Sequence, residues 1–326
     1  MTVAITGGAG FLGQRLAGAL LRRGTLQAPD GRQRPIDRLV LLDVAQAPGL
    51  TDARVVPIVG DVADRTVLDR VVDQRTTSIF HLAAIVSGMA EADFDLGMRI
   101  NVDGTRTLLD VCRERGHRPR VVFTSSVAVY GGSLPATVLE TTALTPQTSY
   151  GTQKAIGELL LADYSRRGFV DGRALRLPTI TVRPGRPNAA ASSFASGIIR
   201  EPLNGEAAVC PVDGEARLWL MSPDTVVDCL IAAHELPADA LGANRSLNLP
   251  GLSVTVEEMV DSLTRVAGSD VSARIAWQRD PTIARMVAGW PGACDASRAK
   301  ALGFPSDGSF DAIVRQHMDR MMNDEC

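Results

Sequence analysis

The segment Thr6-Gly7-Gly8-Ala9-Gly10-Phe11-Leu12-Gly13 constrains the fold of this chain more than any other. It follows an apolar run, Val3–Thr6, and opens a stretch in which Leu12, Leu16 and Leu20 recur at helical spacing. Glycines at 7, 10 and 13 permit a tight turn, let backbone N–H groups approach a pyrophosphate, and clear room for helix against strand. The helix N-terminus then favours the anion. Gly7, Gly10, Phe11, Leu12 and Gly13 are therefore candidate cofactor contacts. Asp43 closes the next strand, where a carboxylate accepts hydrogen bonds from an adenosine ribose diol and repels a 2′-phosphate. NAD is the expected cofactor, with NADP accepted less well.

Apolar β-branched runs alternate with helical-period segments through the first half, the pattern of βαβ units on a parallel sheet. Strands are expected at Val3–Thr6, Leu39–Asp43, Val55–Val59, Ser78–Leu82 and Val121–Ser125, and a surface loop at Gly24–Asp37. Asp61-Val62 follows the third strand and His81-Leu82-Ala83-Ala84 the fourth, both at the strand ends where ligands bind in such folds. His81 itself reads either as a hydrogen-bonded core histidine or as a ligand contact. After residue 176, prolines and glycines interrupt every run apart from one helix near Ser192–Arg200. Helical periodicity returns at Asp224–Leu236, Val256–Ala267 and Phe310–Met321. The expected fold class is α/β: a Rossmann-type doubly wound parallel sheet with a smaller, discontinuous C-terminal substrate lobe. Residues 1–176 plus about 222–248 would form the NAD-binding domain, and about 177–221 plus 249–326 the lobe.

Composition narrows the partners. With 34 Lys+Arg against 37 Asp+Glu and 4% aromatic residues, the chain offers neither a cationic footprint nor a stacking platform for nucleic acid. The longest uncharged stretch, Val121–Leu139, carries Gly131, Gly132 and Pro135, so it reads as a buried strand and loop, not a membrane span. The five cysteines are scattered with no C-x-x-C pair, against both a disulfide framework and a metal cluster, and no export signal opens the chain. A cytoplasmic protein acting on a small molecule, with no metal, is expected.

Ser125-Ser126 ends the fifth strand, and Tyr150-Gly-Thr-Gln-Lys154 opens a helix on which Tyr150 and Lys154 share a face. A phenol is a poor base near neutrality, but a nearby ammonium stabilises its phenolate. A serine hydroxyl beside it then holds the substrate oxygen.

These motifs together resemble the extended branch of the short-chain dehydrogenase/reductase superfamily, which includes nucleotide-sugar epimerases and dehydratases. The likeness extends through Asn101-Val-Asp-Gly104 and Thr124-Ser-Ser-Val-Ala-Val-Tyr-Gly131. It implies pyrophosphate binding at Gly7, Gly10 and Gly13, ribose binding at Asp43, an adenine flank at Asp61 and Val62, and cofactor or active-site ordering by Asn101. Leu82, Ala83 and Ala84 join the cofactor contacts. It further implies Ser126 as the catalytic serine, Tyr150 as proton acceptor and Lys154 as ligand of the nicotinamide ribose, with Leu177, Pro178 and Thr179 along the nicotinamide. Extended-branch relatives are often dimers, so a homodimer is implied.

Sugar-nucleotide enzymes follow their phosphate-binding arginine with a polar Asp-aromatic-aliphatic-His, whereas this chain has the apolar Arg217-Leu-Trp-Leu-Met221. The run Leu177–Phe194, with Arg200–Leu203 and Trp219–Asp224, resembles instead the D-erythronate dehydrogenase branch, which oxidises a four-carbon sugar acid at C2. A hydroxy acid needs a cation for its carboxylate, and Arg183, Arg186 and Arg217 are available. Ser125, Ser126, Tyr150, Thr179, Asn188, Ser192 and Ser193 complete the candidate substrate contacts. The alternative is a nucleotide-sugar epimerase that recycles its cofactor; net NADH release separates the two.

Overall fold

A computed structural model describes residues 1–47, 49–185 and 192–324. Val3, Ala4 and Ile5 are wholly buried, as the central strand of a parallel sheet covered on both faces must be. That sheet has seven strands, in the spatial order Ser246–Asn248, Asp171–Leu177, Arg120–Ser126, Thr76–His81, Thr2–Thr6, Arg38–Asp43, Val55–Val59. Every pairing in it is parallel. Pro57 lies in the edge strand Val55–Val59, opposite Leu41, because only an edge strand tolerates a missing N–H.

The helices Phe11–Arg23 and Pro223–Glu235 cover one face, packing Leu16, Leu20, Val226 and Leu230 into a common core. Arg65–Val71, Gly104–Arg115 and Ser149–Arg166 cover the other, through Leu68, Leu108 and Leu161. Strand order reverses between Thr2–Thr6 and Thr76–His81, with Thr6 in register with His81. Ligands of such sheets bind outside the carboxyl ends of the strands at this switch.

The later residues have a core of their own, including Val182, Ile198, Leu220, Met259, Leu263 and Ile313. In its small sheet, Arg217–Met221 pairs antiparallel with Leu252–Thr255 and parallel with Thr179–Ile180. This brings the lobe against the chain where it leaves Asp171–Leu177.

Two expectations need correction. Gly24–Asp37 is not simply a loop: Thr25–Gln27 and Gln33–Pro35 form an antiparallel hairpin. Leu26 and Ile36 drive it into the core, and the Pro29-Asp30-Gly31 signal marks only its turn. The strand Asp171–Leu177 was not expected, because its sequence DGRALRL carries three charges yet is buried throughout. Each charge is paired internally, Arg173 with Asp171 and Arg176 with Glu158, which is how a charged strand enters a core. Ser246–Asn248, also unforeseen, completes the sheet beside it.

Candidate active site

The glycine turn is built by contact. A Cβ on Gly13 would lie 2.1 Å from the Gly7 carbonyl oxygen, and one on Gly7 would lie 2.8 Å from the Ala83 nitrogen. Gly7 also has φ +73°, a region L side chains rarely adopt. Gly10 precedes helix Phe11–Arg23 and supplies no side-chain cap, so the first-turn N–H groups remain for an anion. Asp43, half-buried at its strand end, accepts from the Ala9 amide at 2.9 Å, which sets its carboxylate beside the turn. Asp61 accepts from the Ala63 amide at 2.8 Å and pairs with Arg99, while Val62 packs beside Gly104.

His81 is a core histidine. Thr105 donates its only hydroxyl proton to the Asn101 carbonyl at 2.7 Å, so the His81 Nε2–H donates to Thr105 Oγ1, 3.0 Å away. Nδ1 then accepts from the Thr6 hydroxyl at 2.7 Å, and Thr6 Oγ1 accepts from the Ala83 amide at 3.2 Å. Burial, with the Lys154 charge, pulls His81 down to about 3, and the ring stays neutral. This chain of bonds fixes Leu82, Ala83 and Ala84 against the glycine turn.

Asn101 sits in a π-helical turn, Met98–Asp103. Its Oδ1 accepts from the Ile85 amide at 2.8 Å, and its Nδ2 donates to the Ile85 carbonyl at 3.1 Å and to Gln153 Oε1 at 2.7 Å. Its polar atoms are thus engaged internally. These contacts tie the loop after Thr76–His81 to the helix carrying Lys154, the ordering role expected of Asn101.

That helix, Ser149–Arg166, begins because Thr148 caps it, accepting from the Gly151 amide at 3.1 Å. Tyr150 lies in its first turn and Lys154 one turn on, with Nζ 5.6 Å from the Tyr150 ring centre and 4.8 Å from that of Phe123. Among the described residues nothing accepts a hydrogen bond from this ammonium, and burial pulls it down to about 7. Burial pushes the Tyr150 phenol up to about 12, against a hydrogen bond from Ser126 and the charge of Arg183. Arg183 thus brings a second positive charge to this phenol, beside Lys154.

The two strand-end serines part company. Ser126 faces Tyr150 and accepts from the Ala128 amide at 3.1 Å. Ser125, expected as a substrate contact, is instead buried on the other side and donates to Glu158 Oε1 at 2.5 Å. Side chains alternate along a strand, so adjacent serines cannot both reach the site.

From the lobe, Arg183 is clamped by helix Ser193–Leu203: its amide donates to Ser196 Oγ at 3.1 Å and its carbonyl accepts from Arg200 at 2.8 Å. Its guanidinium donates to Ser192 Oγ at 3.3 Å, and among the described residues no carboxylate forms an ion pair with it. Leu177 and Pro178 are buried at the end of Asp171–Leu177, and Thr179 pairs with Leu220. Arg217, offered as a substrate contact, lies at the other end of its strand from Leu220. There it donates to the Ser253 carbonyl at 3.2 Å and pairs with Glu258 at 3.7 Å, so its charge is met away from Thr179. Asn188 and Arg186 lie outside the described residues.

Residues 3–249 match the family described as NAD dependent epimerase/dehydratase. The chain belongs to this NAD dependent epimerase/dehydratase family. It is similar to a D-erythronate dehydrogenase of Cupriavidus necator, 61% identical over 319 residues and covering 98% of each chain. A D-erythronate dehydrogenase of Haemophilus influenzae is 49% identical over 321 residues, covering 98% of this chain and 99% of that one. A solved structure titled a nucleoside-diphosphate-sugar epimerase from Agrobacterium tumefaciens superposes with a TM-score of 0.93 at 45% identity, covering 99% and 95% of the two chains. The protein is an NAD-dependent oxidoreductase of the dehydrogenase kind.

The site fits this family's dinucleotide on its own terms: a glycine cradle with no room for a Cβ, an uncapped helix N-terminus, and a buried lysine without an acceptor. Sequence reasoning missed Gln153, which couples Asn101 to helix Ser149–Arg166, although it stands inside the Tyr150–Lys154 segment. It also missed Thr6 as the anchor of Ala83; its place as the last residue before the glycines was the available signal. Among the described residues no helix is long and apolar enough to cross a membrane.

Proposed function

We propose that this dehydrogenase oxidises D-erythronate at C2 to 2-oxo-D-erythronate, using Ser126, Tyr150 and Lys154. The observation that carries the reading is Arg183, a guanidinium facing Tyr150 with no carboxylate of its own among the described residues. It is a counter-charge for a small acid held beside the base. Gly7, Gly10 and Gly13 would hold the cofactor pyrophosphate, Asp43 the adenosine ribose and Lys154 the nicotinamide ribose. Bound NAD supplies a hydride acceptor. Tyr150 Oη, as phenolate, removes the hydroxyl proton from substrate while Ser126 Oγ holds that oxygen, and Arg183 stabilises the phenolate and positions the carboxylate. Ser192, set by Arg183, is placed to donate to a substrate hydroxyl.

The proposed division assigns 1–176 and about 222–248 to cofactor binding and the rest to the substrate lobe, in line with the lobe's separate core. A homodimer through helix Ser149–Arg166 is proposed from the likeness to extended-branch relatives, which are often dimers. Light scattering of the purified protein tests this. The four described cysteines are free and buried, which supports a reducing, cytoplasmic setting.

The likeness to the Agrobacterium structure favours a second reading, sugar-nucleotide epimerisation with recycled cofactor. Absorbance at 340 nm across C4–C6 aldonic acids and UDP-sugars decides between them. NADH accumulating with D-erythronate is expected; UDP-sugar interconversion without NADH, together with an inert erythronate, would overturn the proposal.

A further inference from the structure

The helix Ser193–Leu203 meets Arg183 along one stripe. Ser192, immediately before the helix, and Ser196 and Arg200 within it follow one another at intervals of four residues, so they share a face. Each makes a different contact with the same residue. Ser192 Oγ accepts from the Arg183 guanidinium at 3.3 Å, Ser196 Oγ accepts from its amide at 3.1 Å, and Arg200 Nη1 donates to its carbonyl at 2.8 Å. Backbone and side chain of Arg183 are thus tied to one element at three points.

The ties are themselves held. Ser196 is wholly buried and donates its own proton to Thr181 Oγ1 at 3.5 Å, while Thr181 donates in turn to the Ala195 carbonyl at 3.0 Å. A lone pair of Ser196 Oγ is thereby kept for the Arg183 amide. Arg200 is buried, and its second terminal nitrogen donates to Glu201 Oε1 at 2.5 Å. Its charge is met there, so what Arg200 offers towards the site is one N–H on the Arg183 carbonyl. Pro184 restricts Arg183 further, because the residue before a proline is pushed to extended backbone.

Arginine is among the side chains with the most rotamer freedom to lose, so a guanidinium held in place before an acid arrives binds it at a lower entropic cost. We propose that Ser196 and Arg200 are positioning residues for the substrate: by fixing the Arg183 backbone, with Ser192 on its guanidinium, they preorganise the group that receives the carboxylate. The inference rests on the reading of Arg183 as counter-charge for a small acid. It extends that reading to two buried side chains of the lobe that act only through Arg183.

The test is a double-mutant cycle on the full-length protein, with KM for D-erythronate as the readout and the NAD dissociation constant as the control. In the parent background, Ser196→Ala and Arg200→Met should each raise KM about tenfold, the scale of one hydrogen bond, with kcat within a few-fold and NAD binding unchanged. Arg200→Lys, which can still donate to the carbonyl, should recover part of the loss. In the Arg183→Ala background neither substitution should raise KM further, because no guanidinium remains to be placed. A residue that only supports the fold would cost as much in both backgrounds. Should Arg200→Met fail to fold, Ser196→Ala and Arg200→Lys carry the cycle. An inert D-erythronate, or an Arg183→Ala variant with the parent's KM, would remove the reading on which the inference rests. A raised KM in Arg183→Ala, with the Ser196 and Arg200 variants either matching the parent or adding fully to Arg183→Ala, would overturn the positioning role alone.

Discussion

Ser125 and Ser126 are neighbours in one strand whose hydroxyls serve opposite sides of it, Ser126 turned to Tyr150 and Ser125 bonded to Glu158 at 2.5 Å. Replacing each by alanine separates chemistry from architecture. Ser126→Ala should lower kcat by about 10²-fold, the scale of losing one preorganised donor, with thermal stability nearly unchanged. Ser125→Ala should leave kcat within a few-fold but lower the unfolding midpoint, because it withdraws a buried donor from the Glu158–Arg176 pair. Equal kcat losses in both variants would contradict the assignment.

Tyr150→Phe removes the proposed proton acceptor while leaving the ring beside Lys154. Turnover should fall by several orders of magnitude, with NAD affinity, measured by fluorescence titration, nearly intact. More than a tenth of the parent rate in the variant would exclude Tyr150 as the base.

Asp43 is proposed to set the cofactor preference; its carboxylate is fixed beside the glycine turn by the Ala9 amide. Asp43→Ala should weaken NAD binding and narrow the gap between NAD and NADP. The comparison is the ratio of kcat/KM for the two cofactors, and an unchanged ratio would refute the role.

Arg183 is assigned two effects with separate readouts. Arg183→Ala should raise KM for the acid by one to two decades, the equivalent of about 1.5–3 kcal/mol for a charged hydrogen bond. It should also move the rising limb of the kcat profile, where the phenolate forms, to higher pH, because a positive charge that lowers Tyr150 is gone. Arg183→Lys should restore much of the pH profile and less of the KM. A variant with altered KM and an unmoved profile would leave only the binding role.

Lys154 carries a pH signature in stability. Its folded pKa, about 7, lies below its unfolded value, so folding without cofactor is penalised below pH 7 while the amine is charged. Between pH 7 and about 10 the unfolded chain holds the extra proton, and this contribution rises with pH. The buried thiols Cys112 and Cys294 act in the opposite direction above about pH 8.5, since burial raises them. Urea unfolding of the parent minus that of Lys154→Met isolates the lysine, and the difference should grow with pH over this window. A flat difference would mean that the amine is not desolvated.

Five of the seven central strands were legible because their cores are apolar runs bounded by glycine and polar residues, and the site was legible where backbone geometry demands a residue type, as at Gly7 and Gly13. Asp171–Leu177 was not, because its arginines are neutralised by Asp171 itself and by Glu158, eighteen residues before Arg176; long-range pairing leaves no trace in local hydropathy. Asn101 was read as an ordering residue, but its partners Ile85 and Gln153 were not legible, since nothing in its own segment announces them. Arg217 shows the limit for charged residues: its type fits a carboxylate, and only the position of Glu258 removes it from consideration.

The buried ammonium of Lys154, without an acceptor among the described residues, has a consequence for the protein's persistence in the cell. A group that folding desolvates and that the cofactor's ribose is proposed to satisfy makes the dinucleotide a stabilising ligand, contributing about 2.7 kcal/mol when present at a hundredfold its dissociation constant. Degradation of the opened chain follows the population of that form. Cells depleted of NAD should therefore clear this enzyme faster than replete ones, coupling its abundance to the supply of the oxidant it consumes.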